Sequence, residues 1–78
     1  MNQEMSPPMS QPAAPIASEK ISIERKIFFI DLKENSRGRY YKITEDVGGR
    51  RDTIILPAEA AREFAEALAR LAEFETKL

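Results

Sequence analysis

From Phe28 to Glu45 the chain reads FFIDLKENSRGRYYKITE, and the alternation inside this stretch decides the fold. Phe28, Ile30 and Leu32 fall on one parity and Phe29, Asp31 and Lys33 on the other. Side chains of a strand point alternately to opposite faces, so this pattern predicts a strand over residues 26–34. Asn35-Ser36-Arg37-Gly38 follows, with Asn and Gly where a hairpin turn needs left-handed or otherwise special backbone angles. Alternation then resumes, and residues 39–45 are predicted as the returning strand.

The same period extends outward on both sides. Ile21 and Ile23 share a face of a strand predicted over residues 20–25, which a bend or bulge near Arg25 must separate from the next. After the turn Asp46-Val47-Gly48-Gly49, a fourth strand is predicted over residues 50–56. Pro57 then suits the first turn of a helix, where its missing N–H costs nothing, and Glu59 and Glu63 complement the positive end of the helix dipole. That helix is expected over residues 57–75. Ala61, Phe64, Ala65, Leu68, Leu71, Ala72 and Leu78 recur at three- and four-residue spacing, leaving Glu59, Arg62, Glu66, Arg70 and Glu73 mainly outside the stripe. The fold class is therefore α+β: a four-stranded antiparallel sheet followed by one C-terminal helix. Residues 1–17 are poor in large side chains and hold Pro7, Pro8, Pro12 and Pro15, a composition that predicts a disordered tail before a single folded unit over 18–78.

A chain of 78 residues forms at most one small core, and small cores are reinforced by disulfides, metals or association. With no Cys and no His, disulfides and nearly all usual transition-metal sites are excluded, which leaves association. No cofactor is expected. The acids Asp31, Glu45, Asp46 and Asp52 are interleaved with bases as in cross-strand pairs, and Gly48-Gly49 is a turn rather than a phosphate loop, so no catalytic constellation or small-molecule substrate is expected. The longest apolar run is Ile27–Ile30, far short of the roughly 18 residues of a membrane span. No membrane partner and a cytoplasmic location are the expectations.

Net charge is −1, yet it is unevenly spread. Residues 20–57 carry nine bases and six acids, net +3, between two flanks of −2 each. Parity sorts that basic segment into two surfaces. Phe28, Ile30, Leu32, Tyr41, Ile43, Ile54 and Leu56 are expected to form the core beneath the helix. The opposite parity collects Lys33, Asn35, Tyr40, Lys42, Thr44, Arg51, Thr53 and Ile55, with Arg37 and Arg39 beside the turn adding positive potential. An aromatic among cations on an open sheet suits base stacking with phosphate contacts. The same residue types also make an ordinary solvated strand face.

The segment Phe28–Glu45 resembles the PUR repeat, in which an aromatic-led strand ends in Asp, an aliphatic, Lys, a polar residue and Asn. A basic-Gly-Arg turn, an aromatic, an aliphatic, Lys, Ile and Glu follow, and the likeness continues through Arg50-Arg51 to the Glu63-Phe64 pair in the helix, covering residues 18–75. The resemblance implies a β-β-β-β-α repeat related to the Whirly fold, two of which intertwine through their helices. One repeat per chain then implies a homodimer, with Phe64, Leu68 and Leu71 in its shared helical core. It also implies that the outer sheet surface binds single-stranded DNA or RNA, often G-rich, at positions matching Lys33, Asn35, Tyr40, Lys42 and Arg51. Tyr40 stands where the better-known members commonly carry Phe. The competing expectation is a dimerisation or adaptor module whose basic face is only solvated. Phe29 belongs to either reading, as a second stacking surface or as a residue covered by the partner's first strand.

Overall fold

The computed structural model describes residues 14–78. Four strands, β1 (Ala17–Ile23), β2 (Lys26–Asn35), β3 (Gly38–Val47) and β4 (Arg50–Pro57), form one antiparallel meander in the order β1-β2-β3-β4, and α1 (Ala58–Glu75) follows. The expected strands and helix are thus present in the expected order. Of the expected tail, residues 1–13 lie outside the described residues. Ala17 already belongs to β1, paired with Leu32, and the Ile16 amide just before it donates to the Leu32 carbonyl at 2.7 Å.

Three tight turns set the register. Ile23 pairs with Lys26, so β1 stops two residues earlier than residues 20–25 predict, and Glu24-Arg25 is a two-residue turn rather than a bend within strand. Glu24 takes φ 55, a left-handed angle that a side chain resists. No Gly, Asn or Pro marks this turn, which is why the sequence pattern conceals it. Glu24→Gly is expected to stabilise the protein by about 1 kcal/mol, since glycine adopts this angle without strain. A melting midpoint that failed to rise at fixed protein concentration would contradict this.

The Asn35↔Gly38 turn works differently from the expectation. Gly38 takes the special angle, φ 129, whereas Asn35 contributes its side chain: Oδ1 accepts the Arg37 amide at 2.9 Å. In the third turn Gly48 and Gly49 adopt φ 61 and 90, the pair of positive angles that a primed two-residue turn demands. Asp46 Oδ1 accepts the Gly49 amide at 2.9 Å and fixes that turn to β3.

Pro57 ends β4 and also caps α1, with φ −59 and ψ 145, rather than lying in the first helical turn as expected. One residue therefore converts strand to helix without a linker. The consequence overturns the expected packing. The helix meets only β3 and β4, its first-turn Ala58, Ala60 and Ala61 are half-buried, and the stripe beyond them stays open, with Phe64, Leu68 and Leu71 at 47, 61 and 65% exposure. Phe28, Ile30, Leu32, Tyr41, Ile43, Ile54 and Leu56 do share one sheet face, but no apolar residue among those described is buried. An 18-residue helix that leaves the sheet cannot roof it. The radius of gyration is accordingly 15.6 Å, against about 11 Å for a compact chain of this length.

Candidate functional site

Paired residues in an antiparallel ladder lie on the same face, so the register separates two surfaces. The Tyr41 face carries the apolar set. The Tyr40 face carries Ser18, Lys20 and Ser22 from β1, Ile27, Phe29, Asp31, Lys33 and Asn35 from β2, Tyr40, Lys42, Thr44 and Asp46 from β3, and Arg51, Thr53 and Ile55 from β4. Lys33, Asn35, Tyr40, Lys42 and Arg51 are thus brought onto one surface. Arg37 sits in the β2–β3 turn at its end. Arg39 does not join them: it pairs with Glu34 on the Tyr41 face, with Nε 3.6 Å from the Glu34 carboxylate. Arg50 also belongs to that opposite face, opposite Val47.

The charges divide with the faces. Lys20, Lys33, Lys42 and Arg51 against Asp31 and Asp46 give the Tyr40 face +2, while Lys26, Arg39 and Arg50 against Glu19, Glu34, Glu45 and Asp52 give the other −1. Pairing sharpens the contrast. Lys26 bonds Glu45 at 3.2 Å and Arg39 bonds Glu34, both on the Tyr41 face; on the Tyr40 face Arg51 Nε donates to Asp46 Oδ2 at 2.9 Å, and Lys33 and Lys42 take part in no ion pair among the described residues. Asp31 instead accepts the Ser18 hydroxyl at 2.6 Å. Unpaired ammonium groups keep their field available to a polyanion.

Tyr40 is opposite Lys33 on one side and Pro57 on the other. Beside it an open groove of about 540 Å³ is lined by Asn35, Arg37, Gly38, Arg39, Ile55, Pro57 and Glu59, so Arg39 borders the groove although its strand position belongs to the other face. Because Asn35 Oδ1 is engaged by the Arg37 amide, its Nδ2 donors are the free half of the carboxamide, able to meet an acceptor on a base or sugar. Farther along the face Phe29 lies opposite Thr44, whose hydroxyl is 3.3 Å from that of Thr53. Thr44, at 6% exposure, is the one buried residue among those described. Lys20 Nζ and Arg51 Cζ stand 5.9 and 5.5 Å from the Phe29 ring centroid, within cation–π range. Lys20 escaped the sequence reading, although its parity opposite Ile21 and Ile23 carries the signal; without the β1–β2 register it could not be set beside Phe29. Among the described residues no group of three or more Asp or Glu is placed to hold a metal ion, and no helix is long and apolar enough to cross a membrane.

A family profile described as PurA ssDNA and RNA-binding protein matches residues 11–78. Transcription factor Pur-alpha 1 of Arabidopsis thaliana is 43% identical over 51 residues, which cover 65% of this chain and 17% of that protein. Human transcriptional regulator protein Pur-beta and human transcriptional activator protein Pur-alpha are each 34% identical over 64 residues, covering 81% of this chain and 20% of theirs. The chain therefore spans about a fifth of the length of the curated relatives it matches.

Proposed function

Given that this chain belongs to the PurA family of ssDNA- and RNA-binding proteins, we propose that it binds single-stranded nucleic acid on the Tyr40 face and does so as a homodimer. The observation that carries the reading is the sorting of charge: the Tyr40 face holds a half-buried Tyr with Lys33 and Lys42 in no ion pair among the described residues, while two cations of the other face are tied to carboxylates. In this reading Tyr40 stacks on a base, Lys33, Lys42 and Arg51 hold phosphates, and Asn35 donates to a base edge or sugar. Arg37 extends the path past the turn. Arg39 borders the groove from the other face, where its exposed pair with Glu34 holds it only weakly.

The dimer rests on the absence of a core within one chain. Ile21, Ile23 and Ile54 on the Tyr41 face are 45, 54 and 54% exposed, and the helix stripe is equally open. Two copies related by a two-fold axis cover both surfaces at once if each helix lies on the other's sheet, an isologous exchange that conceals what neither chain conceals alone. Such intertwining leaves the two Tyr40 faces outward.

Binding of a fluorescent single-stranded oligonucleotide across a salt series tests the function. Each phosphate-holding cation contributes about 0.7 to the slope of log affinity against log salt, so Lys33→Ala and Lys42→Ala are each expected to flatten that slope by roughly this amount while lowering affinity. Lys26→Ala, on the other face and bonded to Glu45, is expected to leave it nearly unchanged. Equal slopes for all three variants would favour a module that only dimerises, with a solvated basic face.

A further inference from the structure

Phe29 and Lys20 lie apart from the Tyr40 groove and are left without a task by the five-residue site, of which Arg51 alone reaches the Phe29 ring. We infer that Phe29, with Lys20 and Arg51, forms a second base-stacking platform on the same face, so that one chain holds two separated bases of a single strand. The inference rests on the proposed single-strand binding and extends it to the length of the site.

Phe29 is four residues from Lys33 along β2, and Lys33 is opposite Tyr40, so the two aromatic positions lie about 14 Å apart on one face. Lys42 of β3 lies between them, opposite Asp31, and that intervening acid is engaged by the Ser18 hydroxyl. A strand bridging the platforms therefore crosses an unpaired lysine. At the Phe29 end two cations converge on one ring while a single carboxylate, Asp46, answers them, and that carboxylate is well covered, its side chain 14% exposed against 62% for Arg51. The local balance is positive around an apolar ring. A purely structural aromatic has no need of this surplus.

Cation–π contacts at exposed sites are weaker than base–aromatic stacking. An incoming base can displace the Lys20 ammonium from the ring, and the ammonium then meets the phosphate beside that base, so the cation is redeployed rather than lost. Arg51, held at its Nε by Asp46, keeps its terminal amino groups for the same backbone. Phe29 thus sets where the strand ends on the β1 edge, as Tyr40 does near the β2–β3 turn.

The experiment compares a dinucleotide with an oligonucleotide of about eight nucleotides on the full chain. Phe29→Leu keeps an apolar cover over Thr44 but removes the π face; it is expected to weaken binding of the longer strand by about 10-fold and to leave the dinucleotide, held at Tyr40, unaffected. Lys20→Ala, at an exposed position, is expected to flatten the salt slope for the longer strand by about 0.7. Phe29→Tyr should bind as the parent does. Because the chain has no Trp, Phe29→Trp provides an independent reading: its emission should be quenched by the longer strand. If Phe29→Leu and Lys20→Ala bind the longer strand like the parent while Tyr40→Ala does not, the second platform is refuted and the single-strand reading stands. If the parent binds neither ligand at moderate salt, both fall.

Discussion

Leu68→Asp is expected to leave the chain unfolded and monomeric, not folded with weakened ligand binding. The isolated chain gives no reason for this. Leu68 is 61% exposed there, and a substitution at an exposed helical position ordinarily changes stability by less than about 0.5 kcal/mol. Any large effect must therefore come from burial against a second copy. In the proposed dimer Leu68 lies in the middle of the Phe64–Leu68–Leu71 stripe; losing a buried Leu costs about 2–5 kcal/mol, and two-fold symmetry imposes the loss twice. An unpaired carboxylate in that seam adds its own desolvation penalty. Together these exceed what a small domain has to spare. Circular dichroism should show the helix and sheet gone, and light scattering should give no dimer. Glu66→Ala, off the stripe, is the control and should be silent. A Leu68→Asp protein that melts cooperatively near the parent midpoint would sink the intertwined dimer.

What the sequence disclosed and what it withheld divide along a physical line. Period-two alternation is a local property, and it placed Phe28, Ile30 and Leu32 on one face and Lys33, Tyr40 and Lys42 on the other because strand parity needs no tertiary information. The glycine turn at Gly48-Gly49 was legible for the same reason: φ > 0 is a demand of the backbone itself. The turn at Glu24-Arg25 was not, because a non-glycine residue bears the left-handed angle there and nothing in its side chain announces it. Packing is less legible. An amphipathic helix beside an apolar sheet face invites the conclusion that one covers the other, yet amphipathicity states only that a stripe will be buried, not by which chain. Pro57, which turns strand into helix within one residue, aims α1 past the sheet. The Phe29–Lys20–Arg51 cluster was hidden differently again, since it joins β1, β2 and β4 and exists only once the register of all four strands is known.

Tyr40→Ala should weaken binding of a single-stranded oligonucleotide by roughly 5- to 150-fold, the range corresponding to about 1–3 kcal/mol of stacking per base. Melting should change little. Tyr40 stands on the cationic face beside the open groove, its neighbours across the ladder are Lys33 and Pro57, and its loss removes no side chain from the apolar face. Tyr40→Phe keeps the ring and should be mild, since stacking uses the π face and not the hydroxyl. Tyr41 supplies the decisive contrast because it differs by one position in sequence and by a whole face in space. It is opposite Leu32 and Leu56, among the residues that the proposed partner helix covers, so Tyr41→Ala should lower the melting midpoint, at the usual aromatic-to-Ala cost of about 3–5 kcal/mol, before it affects binding. The salt slope separates the two kinds of loss further: Tyr40→Ala should shift the line of log affinity against log salt without tilting it, because no phosphate contact is removed, whereas Lys42→Ala should tilt it. If Tyr40→Ala melted early while Tyr41→Ala folded normally and lost oligonucleotide affinity, the two faces would have exchanged roles. Lys33, Asn35, Lys42 and Arg51, which share the face of Tyr40, would then lose their assignment with it.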